Sequence, residues 1–250
     1  MAAHSGYSAL RMALAQKLVP GIVGISTYVD FAYQKEMQRA AVALAGGSGP
    51  INQLRTVTVT LDFNALIENL RADRRAAAEE QVAHAIQTLQ IANADFFVIT
   101  SGTTSTLTRL ARQRVSLPFL DIAASCFKPQ PPGGPIGLLS TSYTVTGGQF
   151  HAAAKPHGIA ILAPEAATAR NVDRAIFDDL VNGTASPNSM QVLQAAIGEL
   201  IAAGAKSIIL GNTDLTLIAG ELQKASAVPL IDATTMHARE AAGAAMTGKL

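Results

Sequence analysis

Two short polar segments hold the side chains best placed to do chemistry. Ser101-Gly102-Thr103 follows the apolar run Phe96–Ile99, and Asn212-Thr213-Asp214 follows Ser207–Leu210. Each run has the length and composition of a short, buried parallel strand. Ligands bind outside the carboxyl ends of the strands in an open parallel sheet. The two polar segments therefore predict a binding cleft, with Ser101 and Asn212 on opposite sides of it.

The two segments belong to an internal repeat. Matching blocks begin at Ala92 and Ala203, an offset of 203 − 92 = 111 residues, and a second matching pair centred on Pro118 and Pro229 has the same offset. Two blocks at one spacing indicate a duplicated unit.

The elements around these blocks predict the fold. Apolar residues recur at helical spacing before each block, and Asn93 and Gly204 stand where a helix ends in a left-handed residue. Strands alternating with helices predict an α/β protein of two pseudo-symmetric lobes, each with a doubly wound parallel sheet and a ligand cleft between them. The remaining predicted strands are Ile22–Ser26, Thr56–Leu61, Ile136–Leu139 and Ile159–Leu162.

The chain is divided at a Pro/Gly-rich linker, Lys128–Pro135. We expect a first lobe of residues 1–127 plus 233–250 and a second lobe of residues 128–232. The final helix, from about Thr235, is expected to cross back onto the first lobe.

Composition argues against several classes of partner. The 250 residues include 19 basic and 18 acidic side chains, a net charge of +1 without a basic stripe, so neither nucleic acid nor a membrane is an expected partner. The single cysteine, Cys126, forms no internal disulfide, and no signal peptide is evident, so a cytoplasmic location is expected. No phosphate loop or metal-ligand spacing is present, so neither a cofactor nor a metal is expected.

Several segments resemble the aspartate/glutamate racemase superfamily in order and spacing, from about Val23 onward. They are Ala94-Asp-Phe-Phe-Val-Ile-Thr-Ser-Gly-Thr103, Gly137-Leu-Leu-Ser-Thr141, Leu162-Ala-Pro-Glu165, Gly204-Ala-Lys-Ser-Ile-Ile-Leu-Gly-Asn-Thr-Asp214 and Val228-Pro-Leu-Ile-Asp-Ala-Thr-Thr-Met-His-Ala238. The resemblance implies cofactor-independent chemistry on a small carboxylate, with one catalytic cysteine at each repeated turn. These cysteines fall on Ser101 and Asn212, and Cys126 matches neither position.

This departure excludes the two-thiol mechanism. A thiol with a pKa of about 8.5 is readily tuned to a working thiolate. A serine hydroxyl needs an adjacent base. An asparagine amide is no base, although it can donate hydrogen bonds to an enolate.

The candidate residues follow from position and resemblance. The catalytic candidates are Ser101, Asn212, Asp214 and His237, for each of which a purely structural role is the alternative. The substrate-binding candidates are Tyr28, Asp62, Gly102, Thr103, Thr141, Thr144 and Thr213. The resemblance implies that Thr103 and Thr213 hold the substrate carboxylate, and it places a carboxylate at Asp214.

Three functions are compatible with the sequence. The first is an isomerase or epimerase that uses a non-thiol mechanism, the second a decarboxylase, lyase or cyclase on the same scaffold. The third is a catalytically silent carboxylate-binding protein. A homodimer is compatible with all three.

Overall fold

A computed structural model describes residues 16–46, 53–128 and 133–250. The first sheet contains β1 (Pro20–Gly24), β2 (Val57–Thr60) and β3 (Phe96–Ile99), all parallel, in the order β2-β1-β3. The backbone of Phe97 also bonds to Pro118 and Leu120, which gives this sheet the start of a fourth strand.

The second sheet repeats this arrangement. It contains β4 (Ile136–Leu139), β5 (Ile161–Leu162), β6 (Ser207–Leu210) and β7 (Leu230–Asp232), all parallel, in the order β5-β4-β6-β7. The predicted α/β class with parallel sheets is confirmed. The first strand begins and ends two residues earlier than expected, because Ser26 is already the N-cap of the following helix. We call the part of the chain through residue 128 the first half and the rest the second half.

Helices connect the strands. They are α1 Thr27–Leu44, α2 Phe63–Arg71, α3 Arg75–Ile91, α4 Gly102–Ser105, α5 Ala111–Arg114, α6 Ile122–Ser125, α7 Ser142–Gly147, α8 Gln149–Ala154, α9 Ala166–Arg174, α10 Pro187–Ala202, α11 Ala219–Ala225 and α12 Ala233–Thr247. A π turn occupies Ala175–Asp179, and 3-10 turns occupy Lys155–His157, Leu180–Asn182 and Thr213–Ile218.

Local backbone features recur at the repeat offset. Asn93 and Gly204 end α3 and α10 with φ angles of 61° and 101°, as predicted. Asp121 accepts from the N–H groups of two following residues at the start of α6, and Asp232 does the same for α12. An acceptor at a helix N-cap satisfies backbone donors that the helix itself leaves unpaired. The same local rules thus start and stop the helices of both halves.

Both faces of each sheet are covered by helices. In the first half, α3 covers one face, and α1 and α12 cover the other. In the second half, α10 covers one face, and α6 and α8 cover the other. The final helix leaves β7 of the second sheet and packs along α1 beside the first sheet. The last helix of the second half therefore forms part of the core of the first half.

No helix in the described ranges is long and apolar enough to cross a membrane. The linker predicted at residues 128–135 lies partly outside the described residues, and the predicted domain boundaries stay a prediction.

Candidate active site

The two repeated turns meet at the carboxyl ends of β3 and β6. Ser101 and Asn212 are both N-caps: Ser101 Oγ accepts from the Thr104 N–H at 3.1 Å, and Asn212 Oδ1 accepts from the Asp214 N–H at 2.9 Å. Both side chains line one cavity between the halves. In each case the acceptor atom is occupied by the cap. The serine O–H is left to donate elsewhere, and the asparagine NH₂ has one N–H beyond the one that bonds to the Asp214 carboxyl.

The halves are in direct contact beside these caps. Thr213 Oγ1 donates to the Thr100 carbonyl at 2.9 Å, and both residues are buried. A Cβ on Gly102 would lie 2.4 Å from the Gly211 carbonyl oxygen. Because that oxygen belongs to the backbone, only glycine permits this approach.

Three predicted threonines form one buried cluster across the halves. Thr103 Oγ1 lies 2.9 Å from Thr141 Oγ1 and 3.2 Å from Thr144 Oγ1, and the last two oxygens are 3.1 Å apart. Thr103 also reaches the cavity, whereas Thr141 and Thr144 do not line it. The cluster therefore joins α4 to α7, and one of its three residues lines the cavity.

The cavity has a polar side and an apolar side. The polar side chains are Ser26, Thr100, Ser101, Thr103, Asn212, Thr213 and Asp214. The apolar wall consists of Ile25, Val29, Phe63, Ile67, Phe177 and Val181. The space open to the centres of water molecules is about 20 Å³, roughly what one ordered water requires. A substrate larger than a water molecule therefore fits only if the cavity widens.

Asp214 is the ionisable side chain on the polar side of this cavity. Its carboxyl is buried, and Oδ1 has no hydrogen-bond partner among the described residues. Burial raises the pKa of Asp214 to about 6, hydrogen bonds from Asn212 and from its own backbone oppose the rise, and the negative charge of Asp30 adds to it. An acid with such a pKa exchanges protons near neutrality.

A second buried acid lies behind the cavity. Asp30 Oδ1 accepts from the Ile25 N–H at 3.2 Å and is 2.5 Å from Thr100 Oγ1. Burial raises the pKa of Asp30, against the effect of these bonds. The sequence places Asp30 after the first strand but does not identify it as a partner of Thr100 or a neighbour of Asp214.

Besides Gly102, Thr141 and Thr144, three more predicted site residues lie outside the cavity lining. His237 is fully buried, with Nε2 2.9 Å from the Leu120 carbonyl oxygen, and burial lowers its pKa to about 4. Tyr28 is 53% exposed. Asp62 caps α2 by accepting from the Ala65 N–H at 3.0 Å. Roles for these three in the reaction stay predictions.

Cys126 is also buried outside the cavity, and burial raises the pKa of its thiol, with the nearby acids Asp232 and Asp121 adding to the rise. Over the part of the chain that the structure describes, no group of three His, Cys, Asp or Glu side chains is arranged to hold a metal ion.

Sequence reasoning missed the apolar wall. Phe63 and Ile67 are four residues apart on α2 and follow Asp62, so helical spacing after a strand end was the signal that could have found them. Phe177 and Val181 lie in the π turn and the 3-10 turn after α9, where no periodic pattern marks them.

Comparison with known proteins agrees with this arrangement. The profile of the family described as Asp/Glu/Hydantoin racemase matches residues 22–241. A Yersinia pestis protein described as a candidate Asp/Glu racemase is 25% identical, with a TM-score of 0.77 over 92% of this chain and 100% of its own. The chain belongs to the Asp/Glu/hydantoin racemase family.

Two further structures share the fold at lower identity. An aspartate racemase homologue from Pyrococcus horikoshii is 18% identical, with a TM-score of 0.70 over 92% of this chain and 99% of its own. The aspartate racemase of Picrophilus torridus is 17% identical, with a TM-score of 0.66 over 91% and 94%.

Proposed function

We propose that this protein is a cofactor-independent isomerase or epimerase that moves the α-proton of a small carboxylic acid without using a thiol. Membership of the racemase family supports the general class. The observation that carries the specific proposal is Asp214, a buried carboxyl with an unpartnered oxygen and a pKa near 6 that lines the cavity between Ser101 and Asn212.

Each polar group has a role in this mechanism. The Asp214 carboxylate removes the proton from the reacting carbon and becomes the neutral acid. The negative charge that develops on the substrate is stabilised by the remaining N–H of the Asn212 amide and by the Ser101 hydroxyl. Inversion requires a proton on the opposite face. Ser101, on the side of the first half, relays it from solvent by taking up one proton as it gives another, and Asp214 then returns its proton to solvent.

The asymmetry of the site favours a second candidate. Thr103 occupies the position in the first half that corresponds to Asp214 in the repeat, so only the second half brings a carboxyl to the described cavity lining. A single acid suits one-sided proton delivery, as in a decarboxylase or lyase. Release of carbon dioxide or of an alkene product would identify this alternative.

The test is solvent exchange. A panel of chiral amino and hydroxy acids is incubated with the protein in deuterium oxide, and deuterium uptake and optical purity are followed by NMR and chiral chromatography. We expect at least one acid to gain deuterium at the reacting carbon and lose optical purity. Asp214→Asn should slow this by roughly 10²–10⁴-fold, because an amide cannot accept the proton.

Asp73→Asn is the matched control. Asp73 is exposed in the turn after α2, with a φ of 55° that asparagine tolerates, and its replacement should leave exchange unchanged. Absence of exchange for every acid, or full activity in Asp214→Asn, would contradict the proposal.

A further inference from the structure

We infer that the group attached to the reacting carbon of the substrate is uncharged and apolar, and that the cavity rejects an acid carrying a second carboxylate. This inference rests on the proposed function and specifies its substrate class. It concerns the side of the cavity that takes no part in proton transfer.

Outside the two repeated turns, six of the seven residues that line the cavity are apolar, and the exception is Ser26. Ile25 lies just before the N-cap of α1 and Val29 in its first turn, Phe63 and Ile67 come from α2, and Phe177 and Val181 from the turns after α9. Three separate segments of both halves thus contribute six aliphatic or aromatic side chains beside the single hydroxyl of Ser26. Burial of an apolar substituent against such a wall is favourable, whereas a charged substituent would find no partner there.

The hydrogen-bond donors on the polar side suffice for one anionic group. The Thr213 hydroxyl proton is used on the Thr100 carbonyl, and the Thr103 hydroxyl belongs to the threonine cluster. Beside the backbone, the Ser101 and Ser26 hydroxyls remain, together with one N–H of the Asn212 amide, whose other N–H bonds to Asp214. A second carboxylate would find no comparable set of donors.

The charges around the cavity also oppose a second carboxylate. None of the described residues that line it is a lysine, arginine or histidine. Arg75, which donates to the Thr106 carbonyl after α4, and Arg109 both pair with Glu79. The acids present are Asp214 in the lining and Asp30 behind it, so a dicarboxylate would bring like charge into a buried space without a cation.

Two ligands of similar shape test this directly. The acids 4-methylpentanoate and succinate share a carboxylate and a two-carbon chain, and they end in an isopropyl group or in a second carboxylate. Their affinities are measured at pH 7.5 by thermal stabilisation and by titration calorimetry. We expect 4-methylpentanoate to bind roughly tenfold or more tightly than succinate, since a buried charge without a partner is disfavoured.

A matched pair of variants tests where the selectivity arises. Val181→Lys places a cation in the wall and should shift the affinity ratio toward succinate by roughly tenfold. Ile91→Lys places the same cation at the end of α3, where Ile91 is 81% exposed, and should leave the ratio unchanged. The preference of the unaltered protein remains decisive if Val181→Lys fails to fold.

The outcomes separate this inference from the proposed function. Equal or stronger binding of succinate, or binding of neither acid, would overturn the inference even if deuterium exchange is observed with some substrate. Selective binding of 4-methylpentanoate without exchange in any acid would support the inference and contradict the proposed function.

Discussion

Asp214 is held where burial opposes its negative charge, and this has a measurable effect on stability. The folded protein binds the Asp214 proton more tightly than the unfolded chain, whose aspartates have a pKa of about 3.8. The free energy of unfolding therefore decreases as pH rises from about 4 to 6 and the carboxyl ionises. We predict that the free energy of unfolding of Asp214→Asn, relative to that of the original protein, increases across this window and then levels off, by on the order of 3 kcal/mol.

Urea denaturation at several pH values between 3.5 and 8 measures this difference. His237 has the opposite effect, because its lowered pKa makes the folded state lose stability as pH falls from 6.5 toward 4. It is present in both proteins, so its contribution cancels in the difference. A difference that is independent of pH would show that Asp214 ionises in the folded protein as it does in the unfolded chain.

The repeat offset predicts the residue pair Ser101 and Asn212, because it depends only on sequence spacing, and the structure brings both to one cavity. The acid–base character of Asp214 was not predictable to the same degree. It arises from burial and from Asp30, and α1 brings Asp30 close only after the chain has folded. A buried environment is a property of the packed molecule that no local pattern encodes.

At the scale of elements, the close approach of α4 to the end of β6 requires a residue without a side chain at position 102. We predict that Gly102→Ala costs roughly 1–3 kcal/mol of stability and abolishes exchange activity, since its Cβ would lie 2.4 Å from the Gly211 carbonyl oxygen. Chemical denaturation and the deuterium assay measure the two effects.

Gly198→Ala supplies the control for this substitution. Gly198 is exposed inside α10, and a Cβ there meets no other atom within 4 Å. Alanine at this position should stabilise the protein by about 0.5–1 kcal/mol and leave activity unaltered. If Gly102→Ala behaved like Gly198→Ala, the contact between the halves would not constrain the site.

Strands in apolar runs and long helices were predictable, whereas helices of about one turn were not. Strands β3, β4 and β6 follow continuous apolar runs, and α3 and α10 follow helical spacing over 17 and 16 residues. Helices α4, α5 and α6 have four residues each, too few for a periodic pattern. The π turn Ala175–Asp179 is likewise invisible in the sequence, and it supplies Phe177 to the cavity wall.

At the scale of the whole molecule, α12 links the two halves. It begins directly after β7 in the second sheet and packs its alanines against α1 and the first sheet. Lys128 pairs with Glu240 on this helix, and the bond from Thr213 to Thr100 ties the halves again at the site. Each half is therefore stabilised in part by contacts with the other half, which favours unfolding in one cooperative step.

Ala241 tests this cooperativity from a position far from the cavity lining. It is fully buried in α12, and Ala241→Leu would force extra carbons into the packed core of the first half, at a cost of roughly 1–3 kcal/mol. Gly243→Ala on the same helix meets no neighbour within 4 Å and should instead stabilise the protein by about 0.5–1 kcal/mol.

Native-state hydrogen exchange then compares amides of β3 in the first sheet with amides of β6 in the second. If the halves unfold together, Ala241→Leu lowers the protection of both strands by the same free energy and Gly243→Ala raises both. Loss of protection in β3 alone would mean that the second half stays folded on its own and that the contacts between the halves serve the site rather than the stability of the molecule.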